Sequence, residues 1–357
     1  MKICYFGDGE SIHVVRWCKH FVALGHEVHL ISFKKVAIEG VTVHFIDSGN
    51  IVVKGGNWRV VFNYRKVRSL LKKIKPDIFH AHYATSYGIT GALCRFHPYI
   101  ITTLGSDVLI SGQESKIYQR LLKYAFSKAD WIQTLAPHMS EAVEKIGADM
   151  SKVDVVPFGI DTGIFNDAAR KSSDKFIITS TRNLEAVYNI QQLIKAVALI
   201  KNEIPNIEFR IAGKGSLRAE LESLVKSCGI DKITFFLGSI SQQAMVDLLS
   251  ETNLFVSVSL SDGNNLSLAE AMACGAFCIG SDIPANRQWL IDGENGYLVG
   301  IDDVKGLADK MLYVYKNYNA LQQKAVPQNK QIIQKQGVWE INMKRIEEKY
   351  KSLLINK

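Results

Sequence analysis

Two carboxylates, Asp262 and Glu270, stand eight positions apart in the stretch SDGNNLSLAEAMACG, residues 261–275. The segment before them, NLFVSVSL, is β-rich and apolar at nearly every position, as a strand covered on both faces should be. After them Leu266, Ala269, Met272 and Ala273 recur at helical spacing. Asp262, Asn264 and Asn265 therefore belong to a strand-to-helix loop, and either asparagine can cap the helix. Unpaired amides at such a helix start face the carboxyl end of the strand, where open α/β sheets bind ligands, and the ligand expected there is an anion. Glu270, near the helix start, can accept both hydroxyls of a ribose, and Asp262 can do likewise for a sugar. The plain alternative for Glu270 is an acid favoured by the helix dipole.

Cations to match lie upstream. Arg182 ends the segment FIITSTRN, and Lys214 follows Gly213 at the end of IEFRIAGKG. A planar guanidinium fork beside a helix N-terminus makes a coherent diphosphate site, whereas a lone arginine is more often a surface salt bridge. Other nucleotide motifs are missing. GDGESIH offers only Gly7 and Gly9, with Glu10 where a pyrophosphate would approach, which disfavours hydride transfer. GKGS at 213–216 lacks the leading glycine of a Walker loop. No Asp-x-Asp clamp occurs, so no metal and no cofactor are expected, and phosphate charge falls to Arg, Lys and helix N-termini. All nine histidines precede residue 139, so a catalytic imidazole has to come from the first half. HAHY puts His80 and His82 on one side of a strand end, with His82 nearer the ligand edge and the catalytic candidate of the two.

The elements that must carry these groups read as βαβα twice over. KICYFGD, HEVHLISF, VTVHFID, DIFHAHY, YIITTLG and WIQTLA are strands between helical stretches; FIITSTRN, IEFRIAGKG, ITFFLGS, NLFVSVSL, AFCIGSD and GYLVG repeat the pattern. Pro157 and two glycines punctuate VDVVPFGIDTGIF between the halves. The expectation is α/β: two Rossmann-like, doubly wound parallel-sheet domains, 1–160 and 161–338, facing a central cleft. The terminal helix, 339–357, carries Ile341, Ile346, Tyr350 and Leu353 on a rough stripe and packs on either domain.

A chain of 357 residues suits two such domains. Its 47% apolar and 22% charged residues are those of a globular protein. The start, MKICYFGDG, has no apolar signal-peptide core and no apolar run reaches membrane-spanning length, so a cytoplasmic location is expected. Six scattered cysteines read as free, mostly buried thiols. The net charge of +8 is concentrated: residues 1–160 hold 20 Lys and Arg against 13 acids. WRVVFNYRKVRSLLKKIKPD is the densest patch, and its spacing predicts a helix with cations on one side. It is either a solvated face or a surface for anionic lipid or a phosphate-bearing acceptor at the inner face of the membrane. Nucleic acid is not expected, since no recognition motif accompanies the charge.

Residues 235–299 resemble the donor domain of family-4 retaining glycosyltransferases of the GT-B fold. The signature of that family is an acid, seven residues, then Glu followed by Ala-Met-Ala-x-Gly; here it runs from Asp262 through Glu270 to AMACG. SDIPANRQWLIDGENGYLV, IAGKGSLRAELESL, FLGSI and VVPFGIDTGIF are similar to other landmarks, so the resemblance spans essentially the whole chain. It implies a nucleotide-sugar-dependent transferase, UDP-sugar favoured and GDP-sugar second, with a glycan or lipid-linked acceptor in cell-surface polysaccharide or glycolipid synthesis. By the same resemblance Glu270 binds ribose, Asp262 binds donor-sugar hydroxyls, Arg182 binds phosphate, and the amides of Asn265 and Leu266 meet the diphosphate. Gly213, Lys214 and Asn264 complete the donor side; Gly9, Glu10, His13 and Asp107 are the acceptor-side candidates. Three positions depart from the pattern: Asp262 replaces the usual Glu, Val187 the usual Lys and Leu104 the usual His. Two other readings therefore remain open, a sugar-nucleotide epimerase of the same fold and a non-catalytic nucleotide-sugar-binding partner of another transferase.

Overall fold

The computed structural model of the protein describes residues 1–49, 58–111 and 115–355. It contains two compact units, Met1–Pro157 with Lys344–Lys357, and Phe158–Met343.

The first unit is built on β1 (Lys2–Phe6), β2 (Glu27–Ser32), β3 (Val41–Phe45), β4 (Ile78–His82), β5 (Tyr99–Thr102), β6 (Trp131–Thr134) and β7 (Val153–Val155). They form one parallel sheet in the order β3-β2-β1-β4-β5-β6-β7. Every residue of β4, β5 and β6 is buried, and the apolar positions of these strands are interrupted only by His80, His82, Thr102, Gln133 and Thr134, which are buried as well. The winding direction reverses between β1 and β4, and the loops after both strands therefore open at one crevice of this sheet.

Residues 153–155, which open the stretch between the two halves, form a seventh strand of this sheet. A polar Asp154 is tolerated because β7 is an edge strand: its carboxylate accepts from Trp131 Nε1 at 2.9 Å and pairs with Lys349 at 2.9 Å. The terminal helix, Trp339–Ile355, buries Ile346 and Tyr350 completely but leaves Ile341 43% exposed, so Ile341 does not belong to its buried stripe. Tyr350 ends in a buried chain. Its hydroxyl lies 2.5 Å from His80 Nδ1, and His80 Nε2 lies 2.6 Å from Thr102 Oγ1, which donates to Gln133 Oε1 at 2.7 Å. Since Thr102 spends its proton on Gln133, His80 carries its proton on Nε2 and accepts from Tyr350. His80 is thereby a fully used structural group.

The second unit is built on β8 (Phe176–Ser180), β9 (Ile207–Ala212), β10 (Thr234–Gly238), β11 (Leu254–Ser257), β12 (Phe277–Ser281) and β13 (Tyr297–Val299). They form a parallel sheet in the order β10-β9-β8-β11-β12-β13. Alternation along β11 serves two cores: Leu254 and Val256 join the cluster under helices Ile190–Ile200 and Val304–Lys316, while Phe255 joins the one under Leu266–Ala273. Here the winding reverses between β8 and β11, which sets the loop holding Arg182 beside the loop holding Asp262.

Candidate functional site

Arg182 is the hub of the second unit's crevice. Only 9% exposed, it leaves the end of β8 and reaches the loop after β11. Its Nη2 donates to Asp262 Oδ2 at 2.5 Å, and its Nη1 donates to Asn265 Oδ1 at 3.0 Å and Ser267 Oγ at 3.3 Å. Tyr188 lies under the guanidinium, 4.3 Å from ring centre to Cζ, and fixes its plane. Nε is buried without a partner, so one donor of the fork is unspent. A planar cation held on four sides keeps its orientation at little entropic cost when an anion arrives.

Asn265 is the N-cap of the helix Leu266–Ala273, its side chain accepting from the Leu268 amide at 3.2 Å. The same side chain donates to Ser257 Oγ at 2.9 Å and Asn286 Oδ1 at 2.8 Å, and Asn286 in turn donates to the Ser281 carbonyl at 2.8 Å. The hub is thus anchored to β11 and β12 through fully buried amides. Asn264 sits one residue earlier, its Oδ1 accepting from Gln288 at 3.1 Å and its Nδ2 buried with no partner.

The expected diphosphate amides need one correction. The Leu266 N–H donates to the Asn264 carbonyl at 2.8 Å, because the chain makes a tight turn before the helix. Among the described residues the Ser267 amide has no protein acceptor, and it adjoins the Ser267 hydroxyl that already touches Arg182. Glu270 follows one turn into the helix and is half-buried.

Two glycines have a steric reason here. A Cβ on Gly213 would lie 2.3 Å from the Arg182 carbonyl oxygen, and one on Gly215 would lie 2.3 Å from that of Leu184. The loops after β8 and β9 can therefore touch only through glycine. They are clipped by Leu184 N–H to the Lys214 carbonyl at 3.0 Å and by Glu185, which accepts from the Ser216 amide at 2.8 Å and hydroxyl at 2.6 Å. The Lys214 ammonium is exposed and, among the described residues, makes no ion pair. Val187 gives its carbonyl to the Leu260 amide at 2.8 Å, tying the two crevice loops together.

The first unit carries the other candidates at the ends of β1, β4 and β5. Gly9 fits where a Cβ would meet Val36 at 2.5 Å, and its amide donates to Ser32 Oγ at 3.0 Å. Glu10 is exposed and pairs with Lys34 at 3.2 Å. His82 is 1% exposed, edge-on to Trp17 at 4.9 Å and Tyr5 at 5.5 Å, with neither ring nitrogen hydrogen-bonded. Burial, then the nearby charge of His13, pushes the His82 pKa down to about 3, so the ring is neutral. Asp107 is wholly buried and accepts from the amides of Ala84 at 2.7 Å, Leu104 at 3.1 Å and Gly105 at 2.9 Å. Its carboxylate is used up in joining the loops after β4 and β5, and burial raises its pKa.

Arg182, Asp262, Asn265 and Gly213 are thus brought into direct contact, with Asn264, Leu266 and Glu270 on the adjoining turn. Sequence reasoning missed Ser267, Tyr188, Asn286, Gln288 and Glu185. Ser267 could have been found as the first-turn hydroxyl of the capped helix, and Tyr188 as an aromatic six positions after Arg182; Asn286, Gln288 and Glu185 act through contacts distant in sequence.

Comparison with known proteins decides what this arrangement belongs to. Residues 163–332 match the model of glycosyl transferases group 1, and residues 2–134 match that of glycosyl transferase 4-like proteins. The chain belongs to the group 1 glycosyltransferases. Among relatives of this glycosyltransferase is N-acetyl-alpha-D-glucosaminyl L-malate synthase of Bacillus anthracis, 25% identical over 318 residues, covering 80% of this chain and 82% of the relative. A D-inositol 3-phosphate glycosyltransferase of Arthrobacter is 24% identical over 279 residues, 72% of this chain and 66% of the relative. In fold it is similar to sucrose-phosphate synthase of Thermosynechococcus elongatus (TM-score 0.86, 18% identity, 100% of both chains). It is also similar to Anabaena HepE in complex with UDP (TM-score 0.81, 15% identity, 99% of this chain and 100% of that one). The two parallel-sheet units are those of the GT-B fold, and the group 1 glycosyltransferase is a nucleotide-sugar enzyme. None of its described helices is long and apolar enough to cross a membrane.

Proposed function

We propose that this glycosyltransferase transfers a hexosyl group with retention of configuration from a nucleotide sugar, a UDP-sugar before a GDP-sugar, to a glycan or lipid-linked acceptor. The second unit holds the donor and the first receives the acceptor. Arg182 meets the diphosphate, together with the Ser267 amide and the helix start behind it. Asp262 takes sugar hydroxyls and Glu270 the ribose, while Gly213, Lys214, Asn264, Asn265 and Leu266 shape the donor pocket. On the acceptor side stand His82, Gly9, Glu10, His13 and Asp107, the last as the residue that holds the loops.

The observation that carries this reading is the Arg182 fork, buried at the reversal point of the sheet and aimed along the capped helix. Negative charge grows on the leaving phosphate as the glycosidic bond breaks, and a preorganised guanidinium stabilises that charge without reorganisation. Phosphate charge met by the protein itself supports a metal-independent reaction. The excess of cations in the first unit supports attachment at the inner face of an anionic membrane, where a lipid-linked acceptor would lie.

A panel of UDP- and GDP-sugars, followed by thermal shift and then by transfer to membrane-extracted acceptors, tests the reading. One UDP-sugar should raise the melting temperature and be consumed only with acceptor, and EDTA should leave turnover intact. Epimerised donor without acceptor would identify an epimerase, and donor binding without turnover would identify a non-catalytic partner.

A further inference from the structure

The helix Tyr64–Ile74 contains no acid, yet places Arg68, Lys72 and, just past its end, Lys75 at i, i+4 and i+7, on one face. Like charges at this spacing oppose the helix. One cation at a helix end is repaid by the dipole, but not a whole row. A fourth cation, Arg95, comes from a separate segment, the turn after helix Ile89–Leu93. Arg68, Lys72, Lys75 and Arg95 line a cavity of about 300 Å³ whose remaining walls are Leu71, Pro76, Cys94 and Phe96.

No carboxylate lines it, and among the described residues none of the four cations forms an ion pair. The nearest described acids in sequence are occupied elsewhere: Asp77 accepts from the Lys2 amide at 2.7 Å, and Asp107 accepts from the amides of Ala84 at 2.7 Å, Leu104 at 3.1 Å and Gly105 at 2.9 Å. Lys75 and Arg95 also share left-handed backbone, φ 51° and 52°, a conformation that costs a non-glycine residue about 1 kcal/mol. Four unpaired cations from two elements, over an apolar floor, form a receptor for a phosphate ester.

We infer that this cavity binds the phosphate of an anionic phospholipid headgroup and fixes the first unit on a bilayer surface. Its mixed lining favours a lipid over a free phosphate ion: the cations meet the phosphodiester while Leu71, Pro76 and Phe96 meet the glycerol and first methylenes. Phe62, 68% exposed at the turn that leads into the same helix, adds apolar surface. The inference rests on the membrane-side reading of the first unit and gives it a site. Lys73 lies off this row, so it is not among the contacts.

The test is co-sedimentation of the full chain with phosphatidylcholine vesicles, with and without phosphatidylglycerol. The variant Arg68→Glu/Lys72→Glu/Arg95→Glu is compared with Lys226→Glu/Lys305→Glu/Lys316→Glu, a control that changes net charge equally at exposed sites of the second unit. We expect binding only to the anionic vesicles, a loss of about 100-fold or more in the cavity variant, and less than about 3-fold in the control. A milder variant, Arg95→Gln, should lose about 3- to 10-fold. Circular dichroism and donor thermal shift, unchanged in all variants, separate this result from misfolding and from failure of the transferase reading. Equal losses in both triple variants, or normal sedimentation of the cavity variant, would overturn the site. No vesicle binding by the parent chain would overturn the membrane reading itself. Displacement from vesicles by submillimolar glycerol phosphate would assign the cavity to a free phosphate ester and overturn the lipid.

Discussion

Replacing Arg182 by Ala removes a group with two separable duties. At rest it neutralises Asp262, the two side chains being 10% and 14% exposed. Breaking a fully buried pair from one side costs about 3–5 kcal/mol, and a charge-assisted hydrogen bond is worth about 1.5–3 kcal/mol. Asp262 keeps some solvent and an amide contact from Asn264 at 3.3 Å, so a loss of about 2–3 kcal/mol is expected in the second unit. For a unit of this size that lowers its melting temperature by about 5–10 °C. Adding Asp262→Ala should return about 1 kcal/mol or more, because the orphaned carboxylate goes with it.

In turnover the same residue meets charge that develops on the leaving phosphate. Its loss should lower kcat by about 10²-fold or more, with a smaller rise in donor KM. The assay is release of nucleoside diphosphate at saturating acceptor and donor, alongside melting curves of the single and double variants. A change confined to KM would remove Arg182 from the transition state. Strictly additive losses of stability would mean that the pair with Asp262 does not hold the resting site.

Three further outcomes follow from the same geometry. Glu270→Ala should weaken nucleoside diphosphate binding by about 10- to 100-fold, the worth of a charge-assisted bond, with the fold intact; calorimetry giving unchanged affinity would take Glu270 out of the site. Gly213→Ala forces a Cβ to within 2.3 Å of the Arg182 carbonyl and should displace that loop, lowering kcat together with stability, whereas a neutral result would mean the contact relaxes freely. His82 and His80, both fully buried, are held neutral well below their ordinary pKa, so unfolding takes up protons once pH falls below about 6.5. Stability of the first unit is therefore full above that pH and should decline by about 1.4 kcal/mol per pH unit for each histidine as pH falls toward His82's folded value, about 3. Denaturant melts of His82→Leu should show a shallower decline, and an unchanged slope would refute the assignment.

Much of this protein is determined locally. Burial writes most of the parallel strands as short, largely apolar runs, so the strands, the two halves and the loop from Asp262 to Asn265 are legible without coordinates. The spacing of Asp262, Glu270 and AMACG belongs to a single loop and helix, so the family signature is legible too. Tertiary structure decides what depends on partners far along the chain. Asp262 and Arg182, 80 positions apart, meet only because the winding reverses between β8 and β11. Asn286 orients Asn265 across 21 positions, and nothing around Asn286 announces it. Val153–Val155, at the start of the stretch between the halves, becomes a strand because β6 offers an open edge, which outweighs a polar centre and a nearby proline. Composition shows that the first unit is basic, but only folding brings Arg95 beside Arg68, Lys72 and Lys75, because charge is a property of residues and a cavity is a property of packing.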